Sequence, residues 1–159
     1  GRTYANAQGE SPAIAAALDE FYQPRFAGDA IAPSPLGRVL ALAEKLDTLA
    51  GMFAIGQKPT GNKDPFSLRR NALGLARTLV EGEMDLDLRA LLLDALSPLA
   101  QDKADAIAGE LYAFIIDRLR GYFADQGTTP QQFDAVAALE PASLLDFAKR
   151  LAAVRVFAA

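Results

Sequence analysis

The sequence predicts an all-α fold of about seven helices, and three observations support this prediction. Apolar residues recur at three- and four-residue intervals along most of the 159-residue chain, which is the spacing of an amphipathic helix. A capping residue directly precedes proline at several helix starts, as in Asp64-Pro65 and Thr129-Pro130. No segment of strand length alternates apolar and polar residues. The length allows one domain or two small ones and a substantial core.

The first two helices flank a segment rich in proline and glycine. Ser11-Pro12 predicts the start of a helix that runs to about Gln23, and Pro24 ends it. The second helix is expected from Pro35 to Ala54, with Lys45 off its apolar stripe or at its margin. That stripe is predicted to contain Leu36, Val39, Leu40, Ala43, Leu46, Ala50 and Phe53.

The remaining helices follow the same signals. Asp64-Pro65 predicts the start of the third helix, and Gly74 within it predicts a close helix contact, because glycine costs about 1 kcal/mol relative to alanine in a helix. Later helices are expected at about 86–96, at 102–126 with Gly127 as the stop, and after Thr129-Pro130 and Glu140-Pro141. Glu81-Gly82-Glu83 is the predicted domain boundary, which divides the chain into residues 1–82 and 83–159.

The residue types that are missing exclude several classes of chemistry. The chain has no cysteine, which excludes disulfides, zinc–thiolate sites and thiol nucleophiles within it. It has no histidine, which excludes an imidazole base, a Ser-His-Asp triad and imidazole metal ligands. This composition favours binding or architecture over catalysis.

Positive charge is concentrated in one loop and the helix after it. The net charge is −4, yet residues 56–77 carry five lysines and arginines against Asp64 alone. Lysines on a Gly/Pro loop followed by arginines suit contact with an RNA backbone, and the alternative is a solvated connection between two helices. We call residues 56–63 the basic loop. The candidate RNA contacts are Lys58, Lys63, Arg69 and Arg70.

Two other groups of residues have a functional and a structural interpretation. Asp29, Glu44, Asp47 and Asp64 are candidates for a carboxylate cluster, but carboxylates without imidazole make a poor transition-metal site, and surface acids are the simpler interpretation. Phe114, Tyr122 and Phe123 of the long helix fit a base-stacking platform or, better, core packing. Arg118 and Arg120 are expected to be exposed contacts on the same helix.

Three segments resemble the beta subunit of bacterial heterotetrameric glycyl-tRNA synthetase. They are PRFAGD at 24–29, ALAEKLDTL at 41–49 and IGQKPTGNKDPFSLRR at 55–70. The resemblance implies an HD-like helical domain over residues 1–82, followed over 83–159 by a helical region that leads into a truncated anticodon-binding domain. In this family a His-Asp pair usually stands where this chain has Ala7 and Gln8, and Asp47 is similar to the distal acid of the HD pattern. The resemblance therefore implies a degenerate site without metal.

The resemblance also implies a division of labour. The alpha subunit of such enzymes activates glycine with ATP and Mg²⁺, whereas the beta subunit binds tRNA-Gly and helps to assemble a tetramer of two alpha and two beta chains. It implies a cytoplasmic, non-membrane protein in which this chain carries no catalytic residue. A metal-dependent HD phosphohydrolase and a purely structural helical linker are the alternatives.

Overall fold

The computed structural model describes residues 12–158, and within them the predicted all-α class is confirmed. Seven α-helices follow one another over this range, with no β-strand between them. They are α1 (Pro12–Glu20), α2 (Pro35–Ala54), α3 (Leu68–Glu81), α4 (Leu88–Ala100), α5 (Ala104–Ala124), α6 (Pro130–Ala137) and α7 (Leu144–Ala158), and a 3₁₀ turn, Gln101–Lys103, separates α4 from α5. Among these helices, none combines the length and apolar character that a bilayer span requires.

α2 and α6 both begin with a capping residue followed by proline, and for α6 this is the predicted Thr129-Pro130 start. Ser34 caps α2, since its Oγ accepts a hydrogen bond from the Gly37 backbone N–H at 3.0 Å, and Pro35 takes the first helical position. The Ser34 hydroxyl also donates to the carboxylate of Glu20 at 2.6 Å, which ties the end of α1 to the start of α2. Thr129 opens α6 with a complete capping box. Ser11, the predicted cap of the first helix, lies outside the described residues.

Two helices begin a few residues later than their proline signals predict, at Leu68 for α3 and at Leu144 for α7. The Asp64 carboxylate accepts hydrogen bonds from the backbone N–H groups of Leu68 and Arg69 at 2.8 and 2.9 Å, so it caps α3 from one turn ahead. Before α7, the Tyr112 hydroxyl donates to the carbonyl of Pro141 at 2.6 Å, and this bond holds Pro141 outside the helix.

α2, α3 and α5 form the centre of the fold. α2 packs against α1, α3, α4 and α5, while α3 also contacts α5 and α7, and α6 packs on α5 and α7. The buried apolar side chains form one cluster that reaches from Leu42 on α2 to Leu151 on α7. Both sides of the predicted boundary at Gly82 contribute to this cluster, and the division into residues 1–82 and 83–159 stays a prediction.

The aromatic residues of α5 belong to the core, as their spacing indicates. Phe123 is buried and stacks on Phe147 with ring centroids 6.2 Å apart, while Phe114 packs against Phe53 at 5.2 Å. Tyr122 lies partly buried against the same cluster. The structure thus supports core packing rather than a base-stacking platform for these rings.

The buried face of α2 differs from the predicted stripe. Leu46, Ala50 and Phe53 are buried as expected, but Leu36 and Val39 are 42% and 52% exposed. The helix buries Ala41, Leu42, Lys45 and Leu49 as well, so its buried face is rotated away from the predicted stripe.

Candidate nucleic-acid interface

The basic loop is a tight turn that leads into α3. Gly56 and Gly61 adopt positive φ angles of 77° and 54°, a conformation that glycine takes at little cost. Thr60 and Lys63 exchange backbone hydrogen bonds of 3.0 and 2.8 Å across the turn. These bonds fix the loop so that the Lys63 side chain is presented at the surface.

The four predicted RNA contacts have different surroundings. Lys58 forms an ion pair with Glu110 of α5, and Arg69 donates from Nη2 to the carbonyl of Gly61 at 2.6 Å. Lys63 and Arg70 are exposed, and within residues 12–158 neither side chain has an ion pair or a side-chain hydrogen bond. Lys63 and Arg70 therefore have the most freely available positive charge of the four.

Arg69 and Arg70 meet two further arginines around a cavity of about 330 Å³, which we call the arginine cavity. Arg77 enters it from the same helix, and Arg118 enters it from α5. Among the described residues that line it, none is acidic. The complete lining is Pro24, Phe26, Ala27, Arg69, Arg70, Leu73, Gly74, Arg77 and Arg118. A concave surface with this charge attracts anions.

Arg77 is a structural member of the arginine cavity. It is buried, and its guanidinium donates to the carbonyls of Ala27 and Asp29 at 2.9 and 2.7 Å and to the Glu81 carboxylate at 2.7 Å. The Tyr122 hydroxyl of α5 donates to the same carboxylate at 3.0 Å. Arg77 thus fastens the segment before α2 to α3, and this leaves its charge largely neutralised.

The Arg118 guanidinium has an ion-pair partner at Nη2 but no hydrogen-bond partner at Nε within the described residues. Its Nη2 pairs with Asp117, and its guanidinium carbon lies 5.7 Å from the centroid of the Phe114 ring. Its Nε is buried, and of the side-chain nitrogens and oxygens within residues 12–158 it is the one buried atom that lacks a hydrogen-bond partner. Such a donor costs about 1 to 3 kcal/mol when it stays unpaired. Arg120, by contrast, pairs with Asp134 of α6 at 2.9 Å and lines neither cavity of this interface.

A second cavity of about 370 Å³ adjoins the first, and we call it the polar cavity. The two share Pro24 and Arg70. The other lining residues of the polar cavity are Tyr22, Arg25, Glu44, Lys45, Ser67 and Asn71. This mixture of an aromatic ring, hydrogen-bond donors and one carboxylate differs from the arginine cavity.

Lys45 of the polar cavity is buried, although the sequence predicts it off the apolar stripe of α2 or at its margin. It is only 2% exposed, and its Nζ donates to the backbone carbonyl of Gln23 at 3.0 Å. Burial lowers the pKa of this ammonium group from 10.5, against a smaller opposing effect of Glu44. Gly74 makes room for it, because a Cβ atom there would lie 2.8 Å from Lys45 Cε and 3.4 Å from Pro24 Cγ. The close contact predicted at Gly74 is therefore confirmed.

Of the three positions of the HD pattern, Asp47 lies within the part of the chain that the structure describes, where it is exposed on α2. Ala7 and Gln8 lie outside the described residues. Within residues 12–158, no three acidic side chains come together in a group that could hold a metal ion. The carboxylate cluster considered from the sequence is not assembled, since Asp64 caps α3 and Asp29 accepts the backbone N–H of Arg25 at 2.8 Å.

Comparison with known proteins agrees with the resemblance. The sequence profile described as "Glycyl-tRNA synthetase beta subunit" matches residues 1–138. The protein named "Glycine--tRNA ligase beta subunit" from Xanthomonas campestris pv. campestris (strain 8004) is 59% identical to this chain, and the alignment covers 99% of the chain. The protein of that name from Polaromonas naphthalenivorans (strain CJ2) is 52% identical, and its alignment covers the whole chain. The protein of the same name from Xylella fastidiosa (strain M12) is 49% identical over the whole chain.

The length of these relatives sets the scope of the match. The chain spans 24% of the Xanthomonas protein, 26% of the Xylella protein and 22% of the Polaromonas protein, or about a quarter of the length of the curated relatives it matches. The profile match covers well over half of the present chain. The chain belongs to the glycyl-tRNA synthetase beta subunit family.

Proposed function

We propose that this chain is a tRNA-binding and architectural part of the beta subunit of a glycine–tRNA ligase, in the cytoplasm. In this proposal the complete enzyme attaches glycine to tRNA-Gly, and ATP with Mg²⁺ is used at a separate alpha subunit. The partners are tRNA-Gly and the alpha subunit, in a tetramer of two alpha and two beta chains. The names and identities of the relatives support the proposal.

One structural observation carries the RNA-binding role. Lys63 and Arg70 are exposed and unpaired within the described residues, and Arg70 lines the arginine cavity. Both belong to the positively charged stretch 56–77 of a protein whose net charge is −4. Unpaired cations in such a stretch suit the phosphate backbone of RNA, which releases counterions when lysine and arginine neutralise it. Contacts of this kind position the RNA without reading its sequence.

Charge reversal in the intact ligase tests this role. Lys63→Glu together with Arg70→Glu is expected to weaken tRNA binding, and the slope of log affinity against log salt becomes shallower by about 0.9 for each duplex phosphate contact that is lost. The KM for tRNA in aminoacylation is expected to rise as the affinity for tRNA falls. ATP–pyrophosphate exchange with glycine stays unchanged, because the proposal places glycine activation on another subunit.

A matched control separates a specific contact from a general change of charge. Lys103 and Lys149 are exposed outside the interface, and Lys103→Glu with Lys149→Glu changes the net charge by the same amount. The control is expected to keep the affinity and salt dependence of the parent enzyme. If the two double variants behave alike, the basic loop faces solvent or protein, and the structural-linker interpretation replaces the proposal.

A further inference from the structure

The two cavities are chemically distinct although they share a wall. The arginine cavity is lined by four arginines, of which Arg77 and Arg118 pair with the carboxylates of Glu81 and Asp117, while Arg70 keeps an unpaired charge that suits a phosphate group. The polar cavity also carries the cations Arg25 and Lys45, but it adds the Asn71 amide, the Ser67 hydroxyl and the Glu44 carboxylate, which can pair with the donors and acceptors on the edge of a nucleobase. Arg70 lines both cavities.

One arginine on the arginine cavity is free to bind a ligand. The Arg70 guanidinium is exposed, and within residues 12–158 it has no ion pair and no side-chain hydrogen bond. A phosphate oxygen satisfies such a donor with charge-assisted hydrogen bonds, which are shorter and stronger than neutral ones. This unpaired arginine lies at the wall that the two cavities share.

Tyr22 supplies an aromatic ring at the polar cavity. The residue is 58% exposed, and the ring of Phe21 supports it with centroids 3.9 Å apart. An exposed ring of this kind is a stacking surface that accepts any base, because every base has a π-face. Phe26 is similarly exposed on the arginine cavity.

The size of the cavities selects unpaired RNA. Each of them, at about 330 and 370 Å³, lies near the lower limit of the roughly 300–1,000 Å³ typical of small-molecule sites. An A-form duplex keeps its bases stacked inside and presents phosphates and 2′-hydroxyls, so its bases do not enter a cavity. A nucleotide in a single-stranded region can turn its base outward and does fit.

We infer that one unpaired nucleotide of RNA binds across the two cavities, with its phosphate in the arginine cavity and its base in the polar cavity against Tyr22. This inference rests on the proposed tRNA-binding function and narrows it to a single-stranded segment. Arg70, which lines both cavities, contacts the phosphate from between them. The Lys45 ammonium, held by backbone carbonyls, adds positive potential beneath the base.

The test compares a single strand with a duplex in the intact ligase. The probes are a short fluorescein-labelled oligoadenylate, alone and annealed to oligouridylate, and binding is measured by fluorescence anisotropy. Tyr22→Ala is expected to weaken binding of the single strand about 5- to 100-fold, the range for the loss of one base–aromatic stack, and to leave duplex binding unchanged. Tyr22→Phe retains the ring and is expected to retain the affinity.

A second variant tests the phosphate end with a different readout. Arg70→Gln is expected to make the salt slope for the single strand shallower by about 0.7, the value for one phosphate contact on a single strand. Tyr22→Ala leaves that slope unchanged, because the tyrosine ring carries no charge. The thermal midpoints of both variants are measured to confirm that the fold is intact.

The outcomes separate this inference from the proposed function. If Lys63→Glu with Arg70→Glu weakens tRNA binding while Tyr22→Ala binds both probes normally, the basic surface contacts RNA and the single-strand inference is wrong. Equal losses for strand and duplex would overturn it as well. So would competition by free adenosine monophosphate as strong as that by the strand, because the site would then take a free nucleotide.

Discussion

The buried, fully bonded guanidinium of Arg77 leads to a quantitative prediction about stability. Replacing Arg77 by methionine keeps most of the buried stem but removes the bonds to the carbonyls of Ala27 and Asp29, at 2.9 and 2.7 Å, and to Glu81 at 2.7 Å. The Glu81 side chain is one-third exposed, so solvent screens that ion pair and it contributes at most about 1 kcal/mol. The two charge-assisted bonds to carbonyls contribute about 1 to 1.5 kcal/mol each once water has access to the loop.

The expected loss in the free energy of unfolding is therefore about 2 to 4 kcal/mol for Arg77→Met. Urea denaturation of the purified chain, followed by far-UV circular dichroism, measures it, and the thermal midpoint is expected to fall by on the order of 5 to 15 °C. Arg70→Met is the matched control, because Arg70 is exposed and unpaired within the described residues, and such a surface change costs within about 0.5 kcal/mol. Equal losses for the two variants, or a loss below about 1 kcal/mol for Arg77→Met, would refute the assignment.

Three further predictions concern stability. Asp64→Ala removes the cap of α3 and is expected to lower the free energy of unfolding by about 1 to 2 kcal/mol in urea titrations, whereas the exposed Asp85→Ala changes it little. Tyr112→Phe removes the bond to Pro141 and is expected to cost about 1 to 2 kcal/mol at neutral pH. Burial raises the pKa of Tyr112 from 10.0 to about 12. The contribution of its neutral hydroxyl to stability is therefore present below pH 10.0 and is lost as the pH rises toward about 12. Stability–pH curves of Tyr112→Phe are expected to lack that loss. Burial lowers the pKa of Lys45 in the folded chain below its ordinary 10.5, so between the two pKa values the unfolded chain binds more protons than the folded chain. The free energy of unfolding is therefore expected to rise with pH across that window. Lys45→Met is expected to abolish this rise in stability–pH curves.

Local signals predicted the helices well because capping and periodicity are properties of neighbouring residues. The bounds of α2, Pro35–Ala54, follow from the sequence without correction, and α3 ends at Glu81 as expected. The late starts of α3 and α7 were not predicted. They depend in part on a bond between distant residues, such as the one from Tyr112 to Pro141, which no local pattern contains.

The burial of Lys45 shows why hydropathy alone misplaced part of the α2 face. A lysine is expected at the surface unless its charge finds partners, and here they are backbone carbonyls of the segment after α1, including that of Gln23. Gly74 on α3 provides the space. The signal at Gly74 was visible in the sequence, but its partner became visible only when α2 and α3 were packed together.

The candidate interface was predicted only in part for the same reason. Arg69 and Arg70 are neighbours of the basic loop in sequence, so local charge identified them. Arg118 enters the arginine cavity from a helix about fifty residues away, and Lys58 is paired with Glu110 of that same helix. Both facts follow from the packing of α5 beside α3, which spacing along the chain does not reveal.

A cryo-electron-microscopy structure of the intact ligase with tRNA bound tests the central claim most directly. The proposed function predicts RNA phosphate oxygens within hydrogen-bond distance of the Arg70 guanidinium at the mouth of the arginine cavity. It further predicts that Lys63 faces the RNA backbone. A structure in which this surface is covered by another part of the protein, or faces solvent while tRNA is bound elsewhere, would contradict the claim.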